Sequence, residues 1–139
     1  MNTFVEPIGD DDVDEEVARK FEDLIDSIYN VQSYGEEEQV IASNEHLHQK
    51  IVAFVNETPI LARVISRELL HWSLLMTATE KTIHEYSHPT IKFLIEINPS
   101  ALLWSRSDFT RGSSPIYAIA GHKIHCKLMP WIAERYSWI

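Results

Sequence analysis

Residues 50–64 read KIVAFVNETPILARV, and residues 90–104 read TIKFLIEINPSALLW. At an offset of 40, Ile51 falls on Ile91, Phe54 on Leu94, Val55 on Ile95, Pro59 on Pro99 and Ala62 on Leu102. Each copy reads as an apolar helix stopped at a proline and followed by a second apolar cluster, because proline disfavours helix in the residue before it. A partial third copy sets FLIEIN (93–98) against WIAERY (131–136), with Glu96 on Glu134. One such helix pair cannot bury its apolar face alone, so the repeat predicts pairs stacked side by side.

The flanking sequence extends this helical pattern. Residues 1–13 are acidic and aperiodic, with Pro7 and Gly9, and read as a flexible tail. Over 14–31, Val17, Phe21, Leu24, Ile25, Ile28 and Tyr29 form one stripe at helical spacing. Asp14, Glu15 and Glu16 open that helix, where its dipole favours acids. Ser33 and Glu36 have the spacing of a capping box. The helix they start is expected to reach Thr58-Pro59, with a restart at Ser43 or Asn44 as the alternative. Residues 59–78 predict a short turn, a bend near Ser66 and a very apolar helix. Residues 79–88 read as a polar loop. Pro89 then opens a helix that is apolar on nearly every side and must be covered on more than one face. Residues 105–113 read as a loop, 115–120 as a helix and 131–139 as the last helix. No segment alternates with period two for long enough to make a strand. The expected fold is all-α: an N-terminal helical segment at 14–45, then stacked helix pairs over 46–139.

Charge separates the same regions. Residues 1–40 carry 13 acids and two bases, whereas 41–139 carry eight acids and ten bases, within a net charge of −9. Phosphate recognition needs clustered Lys and Arg, which are missing here, so nucleic acid is not an expected partner. No apolar run approaches the ~20 residues of a membrane span, and the first residues lack the pattern of a secretory signal. Cytoplasm or nucleus is the expected location. Cys126 is the single cysteine and reads as a small packing residue.

Several stretches resemble ankyrin repeats. Ser114-Pro115-Ile116-Tyr117-Ala118-Ile119-Ala120-Gly121-His122 is similar to the family's Thr-Pro-Leu-His opening, with Gly112 near the position of its loop glycine. Glu68-Leu69-Leu70-His71-Trp72-Ser73 looks like a second opening. Phe93-Leu94-Ile95-Glu96 and Trp131-Ile132-Ala133-Glu134 look like outer helices. The sequence departs from the family at Tyr117, which stands where the motif has histidine, and at Leu69, which stands where it has proline. Its period of 40 to 46 exceeds the family's ~33 and also suits HEAT-like pairs. The resemblance implies a small solenoid that binds another protein and performs no catalysis.

Other residues invite chemistry. His84-Glu85-Tyr86-Ser87-His88 spells H-E-x-x-H, the helical zinc-ligand spacing of metalloproteases, so a zinc-dependent hydrolase is the alternative function. Pro89 follows immediately, however, and the surroundings are polar, which favours a solvated loop. His122, His125 and Cys126 are a second possible ligand group, but no partner pair has matching spacing. No metal or cofactor is therefore expected. The proposed contact loop is Arg106, Asp108, Phe109 and Arg111, because arginine and aromatics are enriched at interface hot spots. Trp138-Ile139 leaves an apolar end, which reads either as a homodimer interface through the C-terminal face or as the edge of a longer repeat array.

Overall fold

The computed structural model describes residues 15–57, 64–103 and 114–136. The tail at 1–13, the residues Arg106, Asp108, Phe109 and Arg111, and the Trp138-Ile139 end lie outside them. Within the described residues every regular element is helical. Six α-helices follow one another: α1 Glu15–Tyr29, α2 Glu37–Glu57, α3 Val64–Lys81, α4 His88–Ile97, α5 Pro115–Ala120 and α6 Met129–Arg135. Three 3-10 turns join them, at Glu85–Ser87, Pro99–Leu103 and His125–Leu128.

The middle of the stripe read in α1 faces inward. Leu24 and Ile28 are buried, and Phe21 meets Phe54 of α2 with ring centroids 6.3 Å apart. Lys50 of α2 reaches back to α1, donating to Asp23 Oδ2 at 3.1 Å and Ser27 Oγ at 2.8 Å. Leu47, Ile51 and Phe54 of α2 join Leu74 and Leu75 of α3 and Ile91, Leu94 and Ile95 of α4 in one core. Removing a buried Leu or Ile from such a core costs about 2–5 kcal/mol. The apolar helix α4 is covered by α2, α3 and the Pro99–Leu103 turn, which meets the expectation that it needs neighbours on several sides.

Four local expectations need correction. Ser33 does not cap α2. The helix begins at Glu37, and Glu36 O accepts Gln39 N–H and Val40 N–H. Gly35 lies between, at a positive φ of 109° that a side chain would strain. From there α2 is continuous, as its apolar spacing predicts, and the alternative restart at Ser43 or Asn44 is not taken: Asn44 is buried inside the helix, and its amide donates to Val40 O at 2.9 Å. Second, α3 runs unbroken through Ser66, since no glycine or proline interrupts 64–81.

The loop expected at 79–88 is the third correction. Residues 79–81 finish α3, 85–87 form a 3-10 turn, and His88 is already the first residue of α4. The polarity of this stretch misled because Thr79, Thr82 and Ser87 are buried. Short hydroxyls can bond within a helix: Thr82 Oγ1 donates to Ala78 O at 2.6 Å, and Ser87 Oγ donates to Asn44 Oδ1 at 2.9 Å. Fourth, the last helix starts earlier than expected, at Met129, with Pro130 in its first turn.

Candidate functional site

α1 and α3 end, and α2 and α4 begin, at the same end of the bundle. The 3-10 turn before α6 is fixed there by His125. This end gathers most of the chemistry-bearing side chains in the described residues, in two layers.

The inner layer is a histidine network. His125 is fully buried, and its Nε2 lies 3.0 Å from both Thr82 O and Thr82 Oγ1. The Thr82 hydroxyl proton already serves Ala78 O, so both oxygens offer only lone pairs. His125 Nε2 must therefore carry the proton, and the neutral ring presents a lone pair at Nδ1. That lone pair accepts from His88 Nε2–H at 3.1 Å. His122 stacks on His125 with centroids 4.0 Å apart, and its Nδ1 accepts the backbone N–H groups of Ile124 and His125 at 3.0 and 3.1 Å. It thus caps the 3-10 turn that carries His125.

Each of these rings is biased towards its neutral form. Burial pushes the His125 imidazole down to about 4 from the ordinary 6.5, with His122 adding to the effect and the Thr82 backbone opposing it. His88 is lowered mainly by burial, against the pull of Glu85. His122 is lowered by burial, opposed by the Thr82 backbone.

The outer layer is aromatic and acidic. Tyr29, Tyr34 and Ile83 are 57, 80 and 41% exposed. His84 Nε2 donates to Ser33 O at 2.8 Å, fastening the turn after α3 to the loop beside Tyr34. The His84 ring stacks on Tyr86, and the Tyr86 hydroxyl donates to Glu37 Oε2. Lys81 Nζ sits 5.0 Å above the Tyr29 ring. The hydrogen bond to Glu37 is the largest influence raising the Tyr86 phenol, and the charges of Glu37 and Glu85 add to it.

The sequence motifs are distributed differently from their spacing. His84 and His88 do not share a helix turn: one precedes the 3-10 turn and the other opens α4. Their Nε2 atoms are committed to Ser33 and His125 respectively. His122 and His125 do come together, and the ring that joins them is His88. Among the described residues, no group of three or more His, Cys, Asp or Glu side chains is placed to hold a metal ion. Cys126 is half-buried, with Sγ 3.6 Å from Lys123 O. Trp72 is core, whereas Trp131 is half-buried between Lys92 and Arg135.

Sequence reading missed Tyr29, Tyr34 and Ile83 as a group. Tyr29 was legible only as the end of the α1 stripe. Tyr34 precedes the glycine between two helices, and Ile83 lies in a segment read as a polar loop. Comparisons of the chain with family models, curated proteins and solved structures find no match.

Proposed function

We propose that this chain is a non-catalytic protein-interaction module whose scaffold is a small ankyrin-like solenoid. One observation carries the reading: Tyr29, Tyr34 and Ile83, from three separate segments, present exposed apolar surface at one end of the bundle. A solvated loop has no need of them, whereas tyrosine anchors are enriched at interface hot spots.

The solenoid reading draws support from the helix pairing. α3 lies against α5, as neighbouring inner helices would. α4 and α6 meet as neighbouring outer helices would: Arg135 Nη2 lies 3.0 Å from Glu96 Oε2, and Lys92 Nζ lies 5.1 Å above the Trp131 ring. These contacts join the stretches whose sequences align, FLIEIN and WIAERY.

Affinity capture from the native cell extract tests the function. Wild-type protein is compared with Tyr34→Ser/Ile83→Ser and with Arg106→Ala/Phe109→Ala/Arg111→Ala. A discrete partner retained by the wild type and lost by the first variant is expected. No partner, or one indifferent to both variants, would remove the reading.

A further inference from the structure

We infer that the aromatic end docks a basic protein segment, an extended stretch with Arg or Lys beside an apolar side chain. This rests on the interaction reading above and names the partner class for the same surface.

The charge around the patch decides the class. Glu36, Glu37 and Glu38 follow Tyr34 by two to four positions, Glu80 and Glu85 flank Ile83 in sequence, and all five are exposed. Glu37 and Glu38 are explained in part by the helix dipole at the start of α2. Glu80 is not, because it sits in the last turn of α3, where the dipole disfavours an acid. Lys81, at the end of α3, already lies over Tyr29. Lys123 and Lys127 belong to the α5–α6 side, across the histidine network.

Lys81 on Tyr29 also demonstrates a binding mode. A cation laid on an exposed tyrosine face gains from the ring quadrupole, and a guanidinium stacks there more readily than an ammonium. Tyr34 is more exposed than Tyr29 and has no such cation above it among the described contacts. An incoming Arg beside an apolar residue would place its charge among the five carboxylates. Its apolar neighbour would cover Ile83.

Random peptides displayed on phage are selected against the whole protein, and one enriched peptide is titrated by fluorescence anisotropy. The expected binders carry Arg or Lys next to an aromatic or Leu residue, and bind several-fold more weakly as salt is raised. Tyr34→Ser should weaken binding by about tenfold or more, and Glu38→Gln/Glu80→Gln/Glu85→Gln should flatten the salt dependence. All these side chains are exposed, and unchanged circular dichroism confirms that the variants fold. Uncharged or acidic binders that still need Tyr34 would overturn the inference while leaving the interaction surface standing. Binders indifferent to Tyr34 and Ile83, or no binders, would overturn both. A concentration-dependent dimer abolished by Tyr34→Ser would assign the surface to a second copy and overturn the basic-segment inference.

Discussion

His88 Nε2 donates to His125 Nδ1 across 3.1 Å, joining α4 to the turn before α6 through two neutral imidazoles. The pair works only while His125 Nδ1 keeps its lone pair. A proton added there would face the His88 N–H.

Stability should therefore depend on pH through His125. Its folded value, about 4, lies below the ordinary 6.5, so the unfolded chain binds the proton more tightly. The stabilisation is present above pH 6.5 and is lost as pH falls from there towards 4. The loss should reach about 3 kcal/mol when both limits are spanned. His88 and His122 shift in the same direction and should add to it. Urea denaturation of the wild type and His125→Asn across that window measures the difference, which removes the titration of the carboxylates common to both. Equal pH slopes in the two proteins would refute the assignment.

Thr79 offers a separate test. Its Oγ1 is buried and has no hydrogen-bond partner, whereas the hydroxyl of nearby Thr82 is fully used. Valine has nearly the same shape and no hydroxyl to desolvate. Thr79→Val should raise stability by about 1 kcal/mol. A destabilised variant in thermal or urea melts would mean that the hydroxyl does find a partner.

How much of this was legible beforehand depended on which signal each residue carried. The stripe of Leu24 and Ile28 and the repeat of Ile51 and Ile91 are apolar patterns, and both residue pairs are buried in the core. Thr79, Thr82 and Ser87 defeat the same logic. Their polarity reads as solvent exposure, yet it is satisfied inside or between helices, which only three-dimensional neighbours reveal. The histidine network joins residues 37 and 43 positions apart, so local spacing favoured His84 with His88 over His88 with His125. The exposed patch is harder still. Nothing along the chain brings Tyr29, Tyr34 and Ile83 together until α1 and α3 end side by side.

Tyr86 should show its environment spectroscopically. The hydrogen bond to Glu37 leads the causes that raise its phenol above the ordinary 10.0, ahead of desolvation and then the charges of Glu37 and Glu85. Replacing Glu37→Gln should bring the ultraviolet titration of this tyrosine back down. The other tyrosines should be unaffected, and Tyr86→Phe identifies the component that moves. An unchanged profile in Glu37→Gln would separate the two side chains.

Gly35 sets the entry into α2, and its replacement should be costly for two reasons. The backbone there has a φ of 109°, a conformation that side-chain-bearing residues rarely adopt. An added Cβ would also stand 2.9 Å from Gln32 Nε2, which donates to Tyr34 O and to Gln39 Oε1. The amide could move aside, but only by giving up those bonds, while the backbone strain would remain. Gly35→Ala should destabilise the fold by about 1–2 kcal/mol. The same change should alter the presentation of Tyr34, which sits directly before it. Chemical denaturation measures the first effect and binding of a selected peptide the second. Wild-type stability in Gly35→Ala would show that the loop before α2 relaxes freely, and would remove the argument that this glycine fixes Tyr34.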